Sequence, residues 1–200
     1  MANVRADAVR NRRLLLDAAA AEFAEHGTDV SVARIAARAG IGKGTVFRHF
    51  ATKDQLMAAI FADQMEALAA KGDTLAEGPD SGQALLAFMA AGVELRSFCH
   101  ALAPGMREDP QIRAASDRLV AVARSLTARA RRDGIVRDDV TGEDVVLLIN
   151  AASQAAAPLG EAAAELSRRY LGVIFDGLRA EGARPLPVPP PGALAPVREA

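Results

Sequence analysis

The chain has no tryptophan, one tyrosine and a single cysteine among its 200 residues. One thiol, Cys99, excludes an internal disulfide and fits a reducing compartment. No apolar stretch reaches the roughly twenty residues that a bilayer crossing needs. The N-terminal charges at Arg5, Asp7, Arg10, Arg12 and Arg13 leave no apolar core for a signal peptide. A cytoplasmic protein with no membrane partner is expected. β-Branched runs are scarce while alanine, leucine and arginine abound, which predicts an all-α chain. Catalytic signatures are missing as well. The histidines at 26, 49 and 100 are scattered, Cys99 lacks a placed base, and no phosphate-loop, dinucleotide-fold or metal-ligand spacing occurs. No catalytic residue, metal or cofactor is expected, and the chain does not read as an enzyme.

What is present is concentrated near the N-terminus. Residues 1–53 carry nine Lys or Arg against five acids, a net +4, while the remainder carries −5. A basic end on an acidic body suggests a head that binds a polyanion. Within that end, a helix is predicted over about 9–26, with Leu14, Leu15, Ala18, Ala19 and Phe23 at helical spacing. Arg12, Arg13, Glu22 and Glu25 fall mostly off that face. Gly27 is the expected stop. Ser31 is placed to cap a short second helix, Val32 to Ala39, that turns Ile35 and Ala36 inward. Gly40 ends it, and a third helix starts at Gly42 or Lys43.

Two short helices joined by a glycine turn have helix-turn-helix spacing. Val46 and Phe50 would anchor the third helix, leaving Lys43, Thr45, Phe47, Arg48 and His49 on its surface and flanks. Gly42 and Gly44 strip bulk from its first turn, so the backbone can approach DNA closely. Lys43 can reach a phosphate or a guanine edge, and Thr45 a phosphate or a thymine methyl group. Arg48, His49 and Lys53 are typed for phosphates, which supply affinity and register. For Arg48, plain solvation is an equal reading. His49 could instead cap the end of a short helix.

The elements Leu15-x-x-Ala18, Phe23-x-x-x-Gly27, Ser31-x-x-x-Ile35-Ala36, Ala39-Gly40-Ile41-Gly42-Lys43-Gly44-Thr45 and Phe47-x-His49-Phe50-x-x-Lys53-x-x-Leu56 occur in that order. Together they resemble the DNA-binding domain of TetR-family transcriptional regulators. The resemblance implies DNA contacts at Lys43, Thr45, Phe47, His49 and Lys53, and the bare backbone of Gly44 is a DNA-binding candidate beside them. Arg34 on the second helix, Arg13 (or Arg12) near the first and Arg48 are further candidates. Where the family commonly has tyrosine, this chain has Phe47, so a phenolic hydrogen bond to phosphate is excluded.

Downstream, Thr52 and Gln55 form a capping-box pattern for a helix running to about Lys71. Gly72 to Ser81 reads as a polar break. Longer apolar helices follow over about 83–102 (with a bend near Gly92), 111–132, from Thr141 to about Ala157, and from Gly160 to Glu181. Arg184 to Ala200, with six prolines, reads as a disordered or polyproline tail. The domain expectation is 1–53 as the DNA-binding head, linked by the helix over 53–71. Residues 54–183 form the helical body and 184–200 the tail.

The resemblance implies that the body dimerises and holds an effector pocket. Leu148, Ala152, Tyr170, Ile174 and Phe175 are the expected dimer residues, although the same side chains could form an internal core. Phe88, Met89, Phe98, Cys99, His100 and Met106 are pocket candidates for a small apolar effector. Met and Phe at helical spacing are also what an ordinary core contains. The reading is a homodimeric regulator of a pseudo-palindromic DNA operator, with repression favoured and a small molecule releasing it. Its alternatives are a DNA-binding activator, and a helical small-molecule-binding protein without specific DNA recognition.

Overall fold

The computed structural model describes residues 2–26, 30–99 and 108–190, apart from the side chains of 2–9, 23, 24, 96–99 and 161. Among these residues there are eight α-helices and no β-strand. The chain divides into two compact units, residues 1–65 with 98–116, and residues 66–97 with 117–200. The first unit runs past the sequence boundary at residue 53 and into the helix that follows it.

In the first unit, α1 spans Ala2–His26. It starts seven residues earlier than the apolar spacing predicts, because Ala2, Arg5 and Ala6 are good helix formers that need no buried face. Leu15, Leu16, Ala18 and Ala19 are buried, but Leu14 is 44% exposed. Leu14 lies about 100° round the helix from Leu15 and so misses the stripe. Glu22 takes a place on that stripe instead, one to two turns beyond Ala18 and Leu15, and is only 5% exposed. The positions of Phe23 (side chain) and Gly27 fall outside the described residues.

Helix α2 spans Val32–Arg38 and is capped by Ser31, whose hydroxyl accepts from the Arg34 amide at 3.2 Å. Ile35 and Ala36 are its buried residues. At Gly40 the chain turns with φ +65°, a conformation in which a Cβ would be strained. Gly42 is the N-cap of α3, Lys43–His49, and Phe50 closes it by donating its amide to the Val46 carbonyl at 2.9 Å. Val46 and Phe50 are 1% and 4% exposed, so each contributes on the order of 1.5–3 kcal/mol by burial. That pair fixes which side of α3 faces out.

Helix α4 spans Lys53–Ala76. Thr52 accepts from the Gln55 amide at 3.1 Å, and the Gln55 side chain accepts from Ala51, one residue before the expected Thr52. The helix does not break at Gly72. A Cβ there would lie 2.4 Å from Val122 and 3.0 Å from Phe88, so this glycine permits close packing within the second unit. The interruption comes at residues 77–80.

In the second unit, α5 (Ser81–Cys99) runs unbroken through Gly92, whose bare Cα faces Ile149. Pro110 opens α6, Pro110–Arg132. It suits a first helical position, where no amide is needed. Thr141 and Asp144 form a reciprocal capping box on α7, Gly142–Ala156. A 3-10 turn over Ala157–Ala162, with Gly160 at φ 60°, leads into α8, Ala163–Gly177. This helix is shorter at both ends than predicted. After Gly177 the chain pairs with residues 135–137 through an isolated antiparallel bridge, with Arg137 donating to Leu178 and Ala180 to Ile135 at 3.0 Å each.

Leu85, Met89, Val93, Ala123, Leu126, Val145, Leu171 and Phe175 belong to one buried cluster of this unit. Residues 184–190 form no helix. The proline-rich segment does not begin loose, because Arg137 donates to the Arg184 carbonyl and the Leu186 amide donates to Asp139. Residues 191–200 lie outside the described residues. No helix among those described is long and apolar enough to cross a membrane.

Candidate nucleic-acid interface

Helix α3 has seven residues, and its inner side is spent on Val46. Lys43, Gly44, Phe47 and Arg48 are exposed, Thr45 and His49 are half-buried, and Lys53 is exposed at the first turn of α4. The Phe47 ring is 42% exposed, and the Lys43 ammonium sits 5.9 Å from its centroid. One turn on, Arg48 Nη2 donates to Thr45 Oγ1 at 2.8 Å. Lys43, Arg48 and Lys53 have no carboxylate partner among the described residues. Their charge faces outward, uncompensated.

The other basic candidates are placed differently. Arg13 pairs with Asp17 at 2.8 Å and with Asp63 of α4 at 3.0 Å. Arg34 reaches Glu22 at 2.5 Å, and its Nη2 lies 2.7 Å from His26 Nε2. Arg38 bridges Glu22 at 3.2 Å and Glu25 at 2.7 Å. These three guanidiniums therefore tie α2 and α4 to α1. Arg12 also acts inside the unit, stacking 5.1 Å over the Phe50 ring and donating to Gln111 at 3.3 Å. Charge counting alone treats all of these as equals.

The network around Glu22 was not legible as such in the sequence. The signal was available, since Glu22 sits at i+7 from Leu15 and i+4 from Ala18 on the buried stripe. Burial pushes the Glu22 carboxyl up, but hydrogen bonds from Arg38 and Arg34, with their charges, outweigh it and hold it below 4.5. The hydrogen bond from Arg38 likewise lowers Glu25. A depressed carboxylate stabilises the fold fully above its unfolded value and loses that contribution as pH falls through the folded one. Glu22→Gln is accordingly expected to melt below the parent at pH 7, with the gap closing as pH drops below about 4.5. Circular-dichroism melts across that range decide it, and a gap independent of pH would contradict the assignment.

Donor atoms of Glu22, Glu25 and His26 lie within 4.8 Å of one another. Both carboxylates already hold arginine, so the cluster is built for α2 and not for a cation.

In the second unit, Phe88 and Met89 are 2% and 0% exposed and belong to the core cluster. The side chains of Phe98 and Cys99, at the end of α5, and all of His100 and Met106 lie outside the described residues. Of the expected dimer residues, Ala152 and Phe175 are in the chain's own core, while Leu148 and Ile174 pack partly against it. Tyr170 is 36% exposed, Leu147 44% and Val173 66%. Their spacing was visible, since 170 and 173 share a helix face.

Residues 15–60 match the family model of the bacterial regulatory proteins of the tetR family. Residues 80–180 match that of the C-terminal domain of SbtR-like transcriptional regulators. A TetR transcription regulatory protein from Mycobacterium vanbaalenii is 32% identical over 88% of this chain and 99% of its own, with a TM-score of 0.62. The TetR transcriptional regulator SCO0520 from Streptomyces coelicolor shares the fold at 23% identity and a TM-score of 0.71, over 86% and 99% of the two chains. FadR from Bacillus subtilis, solved in complex with stearoyl-CoA, shares it at 15% identity and a TM-score of 0.59, over 84% and 99%.

Proposed function

Because this chain belongs to the TetR family of bacterial regulatory proteins, which are DNA-binding transcription factors and not enzymes, we propose that it is a homodimeric repressor whose α3 helices read a pseudo-palindromic operator. The observation that carries this is the uncompensated outer surface of α3, with Lys43, Thr45, Phe47, Arg48 and the adjoining Lys53. Lys43 and Thr45 reach base edges, His49 and Lys53 hold phosphates, and Phe47 packs on sugar or a thymine methyl group. Residues 1–53 carry the recognition surface. Arg34 and Arg13 hold the head together and contribute to DNA binding through its shape.

Two such heads would enter successive major grooves, with half-sites about 34–36 Å apart. The exposed apolar residues Leu147, Tyr170 and Val173 on α7 and α8 support a subunit interface. A monomer in sedimentation at micromolar concentration would rule that out. A small apolar effector bound in the body would release the operator by favouring a state with lower DNA affinity.

Selection from random duplexes, followed by a salt titration of the enriched site, tests the DNA reading. Binding should weaken steeply with salt as counterions are released. Absence of enrichment, or of salt dependence, removes the proposal. Gly44 supplies a sharper check. A Cβ there meets nothing within 4 Å in the free protein, so Gly44→Ala should stabilise α3 by about 0.5–1 kcal/mol. Its operator affinity should nevertheless fall roughly tenfold, because the added methyl stands where DNA approaches. A variant that gains stability and keeps its affinity would show that DNA lies elsewhere.

A further inference from the structure

Arg48 and Thr45 are three residues apart on α3, so they share one face of the helix. The Arg48 guanidinium donates to the Thr45 hydroxyl oxygen at 2.8 Å. Neither side chain has another partner among the described residues. A threonine hydroxyl ordinarily donates or accepts, and therefore tolerates either polarity on a base edge. A cation on its oxygen tips that choice toward donation. One of its two lone pairs is taken, and the hydroxyl hydrogen is repelled from the guanidinium. The charge-assisted bond also polarises the O–H and makes it a stronger donor.

Resting on the assignment of α3 as the recognition helix, we propose that Arg48 is a positioning residue for specificity. It biases Thr45 toward donating. The hydroxyl proton and the remaining guanidinium N–H groups then form a continuous donor edge. That edge suits neighbouring acceptors, either O6 and N7 of a guanine or two oxygens of one phosphate. It disfavours an adenine or cytosine amino group at the same place, since donor would face donor. Thr45 by itself would have no such preference.

The pair predicts coupling that two independent contacts would not show. Thr45→Val keeps the shape but removes the hydroxyl, Thr45→Ser keeps the hydroxyl, and Arg48→Gln removes the cation. On the site selected by the parent protein, Thr45→Val and Arg48→Gln should each weaken binding about tenfold. The double variant should lose little more than either single one, well short of the hundredfold that additivity requires. Thr45→Ser should keep its coupling to Arg48. If the acceptor is guanine, Thr45→Val and Arg48→Gln relax the base preference at the same position on reselection. If it is phosphate, base preference is unchanged, and Arg48→Gln lowers the salt slope while Thr45→Val leaves it as it is.

Either pattern supports the inference. Additive losses, or preferences relaxed at two different positions, overturn it while leaving α3 as the recognition helix. A parent protein that enriches no sequence overturns the recognition assignment and this inference with it. Arg48 is exposed and Thr45 half-buried, and unchanged melting curves establish that the variants are folded.

Discussion

Lys43→Glu is expected to lower affinity for the selected DNA site on the order of a hundredfold while leaving the head folded. Lys43 is exposed, has no acidic partner among the described residues, and opens α3 directly after the Gly42 cap. One lost phosphate or guanine contact costs about tenfold per head, and the proposed two-headed complex loses two. Repulsion between a carboxylate and the phosphates adds to this. The salt slope should fall by at least about one for each head.

Stability should move little, for two reasons of opposite sign. The cation over the Phe47 ring is lost, worth about 0.5–1 kcal/mol at an exposed site. A carboxylate in the first turn of a helix gains about 0.3–1 kcal/mol. The contrast is Arg34→Ala, where the guanidinium belongs to Glu22 and His26. That variant should lose thermal stability along with affinity, and with little change in salt slope. Fluorescence anisotropy at several salt concentrations separates the two. Lys43→Glu binding within threefold of the parent would show that α3 does not read DNA.

The contrast between these two residues marks where sequence reading stops. Local determinants were legible. Ser31 at an N-cap, Gly40 in a left-handed turn and Gly42 before a short helix each act within four residues, so their chemistry is written beside them. The fold class and the register of α3 followed. What was not legible depends on partners far along the chain. Gly72 has the composition of a break, but it sits inside α4 because Val122 and Phe88, some distance away in sequence, need the space. Arg34 and Arg13 read as cations for DNA, and only the folded chain sets Glu22 and Asp63 against them.

The same limit applied to α7 and α8. An apolar run shows that a helix is buried on several sides but not by whom. Phe175 and Ala152 lie in the chain's own core, while Leu147 and Val173 are left outside. Apolar content alone cannot divide a core from an interface. Relative position does, and position is a property of the packed chain.

Gly142→Leu is the largest change expected in the second unit. Gly142 opens α7 and is buried, and a Cβ there would lie 2.5 Å from both the Cα and the amide nitrogen of Arg124. Flexible side chains can give way, but a helical backbone cannot shift without moving α6. The next residue holds the two helices at that spacing, since Glu143, 7% exposed, accepts from Arg124 Nε at 2.7 Å. The capping box at Thr141 and Asp144 fixes where α7 begins, so slipping the helix forward would break both of its bonds.

Helix propensity argues the other way, since glycine is worse than leucine by somewhat under 1 kcal/mol. Overpacking against a backbone should win, with a net loss of about 3 kcal/mol and a fall in Tm of roughly 6–12 °C. Gly44→Ala is the internal control, because propensity is unopposed there and the sign should reverse. If α7 contributes to a dimer, the deficit should shrink as protein concentration rises, because association with the folded form shifts the melt upward. Differential scanning calorimetry at two concentrations measures both effects. A Gly142→Leu protein melting at or above the parent would mean that α6 and α7 do not meet at Arg124.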